Sequence, residues 1–165
     1  MRFSLIPHRV YQLYTDVTPQ DLVSRGIRLL LCDLDYTVAP RRVKVPDATL
    51  CRWICSMEAE GIRVIILSNN RSRKRVNTFC RDLGISYVGH AGKPSVRSFR
   101  KAMAQAGVTP AETAMLGDKL LTDMLGANLS GVLPLMVEPL GGPVGAWNHF
   151  LHLLQRPFKA MAKER

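Results

Sequence analysis

The sequence has no long hydrophobic run, few aromatic residues and fewer acidic than basic side chains. A helix that spans a bilayer needs roughly 18 or more consecutive apolar residues, and no segment approaches that length. The apolar positions of Met1–Leu13 are interrupted by Arg2, Pro7, His8 and Arg9, which excludes a secretory signal. We therefore expect a cytoplasmic protein, either dissolved or peripheral on the inner face of the membrane.

Cysteine is scarce, and its spacing excludes the common structural metal sites. The chain has 4 cysteines, and none of them forms a Cys-x-x-Cys pair. Cys51 and Cys55 would share one helix face, but no nearby histidine or second cysteine pair completes a zinc site. We expect these residues to pack in the interior, which fits a reducing compartment.

The charge is strongly unbalanced, with 23 Lys and Arg against 13 Asp and Glu and a net charge of +10. Such a balance indicates an anionic partner or substrate. Nucleic acid is disfavoured because the sequence has no basic stripe interleaved with aromatic residues and no zinc-finger spacing. The alternative is a solvated basic face that only aids solubility.

An apolar run ends abruptly in two acids near the start of the chain. Leu29–Cys32 is apolar enough for a strand that is covered on both faces, as in a parallel sheet. Asp33 and Asp35 follow directly, and Thr37 comes two residues later. Chemistry collects at the carboxyl ends of such strands. Two carboxylates at this spacing repel each other in a dry site unless a cation holds them, which indicates a hard metal such as Mg²⁺.

Three more polar groups follow apolar runs or stand at a predicted helix start. In chain order they are Ser68 with Asn69, Lys93 before Pro94, and Asp118 with Asp123. The spacing predicts Pro94 at the first position of a helix. Each residue alone is typical of an ordinary turn, but their joint order is hard to obtain by chance.

In this order the residues resemble the motifs of the haloacid dehalogenase superfamily of phosphotransferases. The four motifs correspond to Asp33-x-Asp35-x-Thr37, Ser68, Lys93 and Gly117-Asp118-x-x-x-Thr122-Asp123. A closer likeness is to the YqeG group of subfamily IIIA phosphatases, which is related to the phosphatidylglycerophosphate phosphatases of organelles. That likeness rests on Thr18-Pro19-Gln20-Asp21-Leu22, Ser68-Asn69-Asn70, Lys93-Pro94 and Gly117–Asp123. It extends from about Phe3 to Val137, and Tyr36 stands where the group usually has Asn.

The resemblance implies a role for each carboxylate of the motifs. Asp33 would attack phosphorus to give an aspartyl-phosphate, while Asp35 would protonate the leaving alkoxide and then deprotonate water. The Mg²⁺ ligands would be Asp33, Asp118 and Asp35, the last through its main-chain carbonyl. Asp123 would orient the waters of the metal or the side chain of Lys93.

The remaining motif residues would bind the phosphoryl group or support the loop. Ser68 and Asn69 would donate hydrogen bonds to the transferring phosphoryl oxygens. Lys93 would offset the combined charge of the phosphate and Asp33, the electrostatic effect that dominates phosphoryl transfer. Thr37 would brace the loop after the nucleophile through a hydrogen bond.

Alternating helices and buried strands predict a three-layer, Rossmann-like α/β fold with a central parallel five-stranded sheet. The predicted strands are Ile27–Cys32, Arg63–Leu67, Ser86–Val88, Thr113–Leu116 and Val132–Val137. The segments between Thr37, Ser68 and Lys93 each hold only one loop, one helix and one strand. They therefore leave no room for an inserted cap domain.

The length predicts a single domain over residues 1–165 that begins with a short helical segment. From about Trp147 to Arg165 the apolar residues recur at helical spacing and basic residues accompany them. Pro157 is expected to kink or interrupt this helix. The tail is either a helix that packs on the sheet edge or an amphipathic anchor at a membrane surface.

We expect a Mg²⁺-dependent phosphomonoesterase that acts on a phosphorylated lipid headgroup, with phosphatidylglycerophosphate as the favoured substrate. A soluble phosphometabolite or a phosphoprotein is the alternative substrate. From a different class, the chain could be a non-catalytic basic scaffold that binds RNA or a protein partner. The complete set of Asp33, Asp35, Lys93 and Asp118 argues against such a scaffold.

Overall fold

The computed structural model describes residues 3–70, 72–142 and 146–162. Its centre is a parallel six-stranded sheet in the order β1-β6-β5-β2-β3-β4. The strands are β1 Arg9–Tyr11, β2 Leu29–Cys32, β3 Arg63–Leu67, β4 Ser86–Val88, β5 Thr113–Gly117 and β6 Leu133–Val137. The parallel α/β fold predicted from the sequence is confirmed, but the sheet has six strands rather than five.

The additional strand, β1, lies where the sequence predicted a helical segment. Arg9–Tyr11 pairs with Leu135–Val137 of β6, and a short 3₁₀ helix follows at Tyr14–Asp16. The strand is three residues long, begins with a charged residue and occupies the sheet edge. A strand of this kind lacks the apolar run by which the other strands were recognised.

Alternate residues of the buried strands face two separate cores, which gives the three layers. Leu30 and Ile66 pack with α2 and α3 on one face, while Leu31 and Ile65 pack with α4 on the other. The helices are α1 Pro19–Ser24, α2 Ala48–Ala59, α3 Arg73–Leu83, α4 Val96–Ala106, α5 Leu125–Ser130 and α6 Ala146–Ala160. The cysteines are free thiols, and Cys32 and Cys80 lie in the core, but Cys51 is half-buried and Cys55 is exposed, so the expected interior packing is wrong for Cys55. In the described residues, a single loop and helix join β2 to β3 and β3 to β4, and no separate cap is present.

Helix α6 continues through Pro157 instead of ending there, and it contacts the sheet. Phe158 packs against a small cluster that includes Met124 of the chain before α5 and Met136 of β6. The Nζ of Lys159 lies 2.7 Å from a carboxylate oxygen of Glu138. Among the helices described, none combines the length and apolar character that a bilayer crossing requires.

The loop that carries Lys93 differs from the prediction at Pro94. The Lys93–Pro94 peptide bond is cis, and α4 begins at Val96 with Ser95 as its N-cap, so Pro94 is not the first helical residue. The Oγ of Ser95 accepts a hydrogen bond from the amide of Arg97 at 3.4 Å. Pro94 therefore belongs to the loop before the helix.

Helix α5 approaches this loop closely because residue 126 is glycine. A Cβ at this position would lie 2.7 Å from Cε2 of Phe99 and 3.3 Å from Cα of Pro94. Helix propensity alone would make Gly126→Ala stabilising by about 1 kcal/mol. We expect the overlap to reverse the sign and to destabilise the fold by about 1–3 kcal/mol in chemical denaturation.

Phe99→Leu supplies the matched background for that measurement. The shorter side chain removes the ring atoms that a Cβ would meet, so Gly126→Ala should cost less in the Phe99→Leu protein than in the parent. An equal cost in both backgrounds would contradict the packing explanation.

Candidate active site

The site lies where the strand order changes direction along the chain. After β2 the chain builds β3 and β4 on one side, and then returns to place β5 on the other side. Cys32 of β2 is in register with Leu116 of β5, so Asp33 and the Gly117-Asp118 segment leave the sheet next to each other. Such a switch point in a parallel sheet forms a crevice at the carboxyl ends of the strands.

Three buried carboxylates meet in this crevice. Oxygens of Asp33, Asp118 and Asp123 all lie within 4.8 Å of one another. Asp123 is held in place because its Oδ2 accepts a hydrogen bond from the amide of Lys119 at 3.1 Å. It belongs to the π-helical turn Leu120–Met124, which precedes α5. Like charges at this separation repel strongly in a buried site, so the cluster needs cations.

Lys93 supplies one of those cations. Its Nζ lies 2.8 Å from Oδ1 of Asp33 and 2.6 Å from Oδ1 of Asp123, and only 1% of its side chain is exposed. Burial alone would lower the pKa of Lys93, but Asp123 and Asp33 outweigh burial and raise it. The side chain therefore remains an ammonium that links the two acids.

Asn69 holds the main chain of Lys93 on both sides. Its Oδ1 accepts a hydrogen bond from the Lys93 amide at 2.9 Å, and its Nδ2 donates to the Lys93 carbonyl at 3.1 Å. This side chain was predicted to bind phosphate. In the structure its amide group positions the main chain of Lys93, and the residue also lines the cavity described below, so phosphate binding by Asn69 stays a prediction.

Lys119 is a second cation at the cluster, and the sequence assigned it no role. Its Nζ lies 2.8 and 3.0 Å from the two carboxylate oxygens of Asp118 and 3.8 Å from Oδ2 of Asp33. The side chain is 43% exposed and also lies over the ring of Tyr36. Its position directly after Asp118 was the available signal for this role.

Burial raises the pKa of two acids of the cluster, Asp118 and Asp123. Burial raises the pKa of Asp118 to about 6, and the charges of Asp33 and Asp123 act in the same direction while Lys119 opposes them. The Oγ1 of Thr37 donates to Oδ1 of Asp118 at 3.3 Å. Thr37, predicted to brace the loop after the nucleophile, thus links that loop to Asp118.

Asp35 lies outside the acidic cluster because its carboxylate is turned toward α3. Its Oδ1 lies 2.6 Å from Nη1 of Arg75, and its Oδ2 accepts a hydrogen bond from Nδ2 of Asn70 at 2.7 Å. Arg75 also donates to the carbonyls of Pro40 and Val43 at 3.3 and 3.1 Å. No pattern in the sequence indicated this contact, since 40 residues separate Arg75 from Asp35.

The loop after β2 contains a residue in an unfavourable conformation. Tyr36 has a φ of 68°, in the left-handed region that asparagine tolerates better than larger side chains. The asparagine that the resemblance leads us to expect here would adopt this conformation with less strain. Hydrogen bonds from the Tyr36 amide to Ala39 and from the Leu140 amide to Tyr36 hold the loop in place.

A cavity of about 270 Å³ opens beside these groups. Asp33, Asp35, Ser68 and Lys93 line it, together with Arg41 and Lys119. Ser68 is buried, and its Oγ accepts a hydrogen bond from the amide of Asn70 at 3.1 Å. The cavity therefore combines carboxylates with three cationic side chains, which suits a doubly charged anion next to a nucleophile.

The donor set also fits a divalent cation. Asp33, Asp118 and Asp123 offer closely spaced carboxylate oxygens, the ligand type that hard cations prefer. Asp35, predicted as a ligand through its main-chain carbonyl, adds no side-chain oxygen to the cluster.

Comparison with known proteins establishes the family. A family profile for haloacid dehalogenase-like hydrolases matches residues 16–131. The chain belongs to this family. It is 32% identical over 151 residues to the probable phosphatase YqeG of Bacillus subtilis (strain 168). The match covers 90% of this chain and 86% of that protein. This haloacid dehalogenase-like chain is therefore a phosphatase, a hydrolase of phosphoric monoesters, and the resemblance described from the motifs is confirmed.

Two further similarities add detail. The chain is 26% identical over 151 residues to the chloroplastic phosphatidylglycerophosphate phosphatase 1 of Chlamydomonas reinhardtii, covering 85% of this chain and 56% of that protein. The cobalt-bound deoxy-D-mannose-octulosonate 8-phosphate phosphatase of Haemophilus influenzae superposes with a TM-score of 0.58 at 19% identity. That match covers 82% of this chain and 91% of the other, and it confirms the fold.

The perturbed pKa of Asp118 predicts how metal binding responds to pH. A proton and a divalent cation compete for the same carboxylate, whose pKa is about 6. We expect the association constant for Mg²⁺ or Mn²⁺, measured by titration calorimetry, to rise by up to about tenfold per pH unit below that pKa and to level off above it. Asp118→Asn should weaken this slope without abolishing it, because burial also raises the pKa of Asp123. Asp82→Asn, at an exposed residue of α3, should leave the slope unchanged. Affinity that does not change between about pH 5 and 7 would contradict the prediction.

The raised pKa of Asp118 also determines how the stability of the metal-free protein changes with pH. The folded-state pKa of Asp118 lies above its ordinary value, so the folded protein binds the proton more tightly than the unfolded chain. The resulting stabilisation is complete below the unfolded-state pKa and is lost as pH rises through about 6.

Proposed function

We propose that this phosphatase is Mg²⁺-dependent, works through an aspartyl-phosphate on Asp33, and dephosphorylates phosphatidylglycerophosphate at a membrane surface. The observation that carries the proposal is the position of Asp33. Its carboxylate lies at the switch point of the sheet, 2.8 Å from the buried ammonium of Lys93 and in one cluster with Asp118. A carboxylate is a weak nucleophile, so it needs this kind of fixed position and charge compensation.

In the first step an oxygen of Asp33 forms a bond to phosphorus while the bond from phosphorus to the substrate oxygen breaks. Asp35 gives a proton to the departing alkoxide. In the second step water attacks phosphorus, Asp35 takes its proton, and the bond to Asp33 breaks to release phosphate. Arg75 and Asn70 orient the Asp35 carboxylate for this work, each through one of its oxygens.

The remaining groups neutralise the phosphoryl charge or hold other side chains in position. Lys93 neutralises the negative charge that accumulates between Asp33 and the phosphoryl group, and Asn69 and Asp123 hold the lysine in place. Ser68 and the main chain beside it lie in the cavity wall, where they can donate to phosphoryl oxygens. Asp33 and Asp118 would hold Mg²⁺ together with the main-chain carbonyl of Asp35, and Mg²⁺ would withdraw charge from the phosphoryl oxygens.

A lipid substrate is supported by sequence similarity and by the surface around the cavity. The similarity to the chloroplastic phosphatidylglycerophosphate phosphatase covers 85% of this chain. The loop next to the cavity exposes Arg41, Arg42 and Lys44, with Val43 and Val45 between and after them. Cations with interspersed apolar residues suit the interface of an anionic membrane.

A soluble phosphometabolite is the second candidate substrate. The structural similarity to a phosphatase whose name specifies a sugar phosphate favours it. A phosphoprotein substrate remains the third alternative. A non-catalytic scaffold is not supported, because Lys93 is paired with Asp33 and Asp118 lies in the same carboxylate cluster.

A substrate panel tests the proposal directly. Phosphate release is measured with Mg²⁺ on phosphatidylglycerophosphate in mixed micelles, on sugar phosphates and on phosphopeptides, and again with excess EDTA. We expect turnover of the lipid, at least about a thousandfold loss in Asp33→Asn, and wild-type rates in Asp82→Asn. Circular dichroism should show that the near-isosteric Asp33→Asn protein is folded. Full activity with EDTA, or turnover of sugar phosphates alone, would reject the metal dependence or the lipid substrate respectively.

Liposome flotation tests the membrane surface. We expect the protein to float with anionic but not neutral vesicles at low salt, and to dissociate at high salt because surface charges are screened. Arg42→Gln and Lys44→Gln should each weaken binding by about 1 kcal/mol, close to fivefold, and the Arg42→Gln/Lys44→Gln double variant should lose about twice that. The control Arg100→Gln/Lys101→Gln removes two exposed charges from α4 instead. Equal losses in both double variants would show that only net charge matters.

A further inference from the structure

An apolar groove lies between α6 and the π-helical turn Leu120–Met124. It has a volume of about 370 Å³, in the range of small-molecule sites. Its wall is formed by Leu5, Leu120, Leu121, Leu154, Gln155 and Phe158. None of these groups takes part in the chemistry proposed above, so the groove requires a separate explanation.

The groove adjoins the catalytic cavity. Lys119 and Thr122 line both spaces, so the two are neighbours on the surface. The Lys119 ammonium lies at this junction. An occupant of both spaces must therefore carry an anionic group and an apolar group a short distance apart.

The lining favours hydrocarbon over peptide. Among the described lining residues, Gln155 has the only polar side chain besides Lys119 and Thr122. A peptide backbone in the groove would leave its N–H and C=O groups without partners, which is costly, whereas a hydrocarbon chain requires none. The side chains of Leu121 and Leu154 are 57% and 51% exposed, so an apolar occupant would remove substantial surface from water.

We propose that this groove binds an acyl chain of a lipid phosphomonoester whose phosphate occupies the catalytic cavity. The proposal rests on the proposed function, because it assigns the apolar part of the same substrate. The π-helical turn then serves both ends of the molecule. Asp123 faces the catalytic lysine, while Leu120 and Leu121 contact the chain.

The test compares affinities of monomeric short-chain lipids on a protein that cannot turn them over. Titration calorimetry of Asp33→Asn with Mg²⁺ measures the affinity for dihexanoyl phosphatidylglycerophosphate and for its deacylated headgroup. We expect the acylated ligand to bind more tightly, by up to about fourfold for each methylene buried. Leu121→Gln and Leu154→Gln, each added to Asp33→Asn, should reduce the ratio of the two affinities by about tenfold.

Leu153→Gln is the matched control. Leu153 lies on the same helix, is similarly exposed at 58% and does not line the groove, so its substitution should leave the ratio unchanged. A ratio near one in the parent, or a ratio that Leu121→Gln and Leu154→Gln do not alter, would overturn the proposal. So would a dimer that dissociates in Leu154→Gln, because the groove would then be an interface between two copies of this chain.

Different results would reject the groove assignment and the proposed function. If wild-type protein releases phosphate from the headgroup but the affinity ratio is one, the groove assignment is wrong and the phosphatase assignment stands. If neither ligand is hydrolysed while the ratio is large and depends on Leu154, the groove binds acyl chains and the proposed substrate is wrong.

Discussion

The site depends on the mutual neutralisation of three buried acids and two ammonium groups. Asp33, Asp118 and Asp123 would repel one another at their observed separation, and Lys93 and Lys119 offset most of that repulsion. Removing one partner of a buried charge pair typically costs about 3–5 kcal/mol, because the other charge is left uncompensated. The surrounding structure holds these five side chains at their observed separations.

Strand pairing, hydrogen bonds in the loops and close packing of α5 keep these groups in place. Parallel pairing of β2 with β5 brings Asp33 beside Asp118, although they are 85 residues apart in the chain. Asn69, at the end of β3, holds the main chain of Lys93. Gly126 allows α5 to approach the loop that carries the lysine. Residues that follow three separate strands, Asp33, Asn69 and Asp123, thus hold one lysine by its ammonium or its main chain.

Sequence reasoning found the parts of the site that follow strongly apolar strands. Asp33 and Asp118 stand directly after such strands, so their meeting follows from the parallel topology alone. Arg75 could not be found in this way, because its contact with Asp35 depends on how α3 packs over the loop after β2. Strand β1 was missed because its pairing with β6 joins distant segments and its own three residues show no apolar run.

Lys119 gives the resting protein an internal counter-ion. Many metal sites are bare clusters of acids before loading, and their folding depends on the ion. Here an ammonium on a flexible stem already neutralises Asp118 in place. A divalent cation bound to Asp118 as proposed would take the place of this ammonium. The displaced ammonium would stay tethered at the junction of the catalytic cavity and the apolar groove, so the site would gain positive charge where the incoming anion arrives.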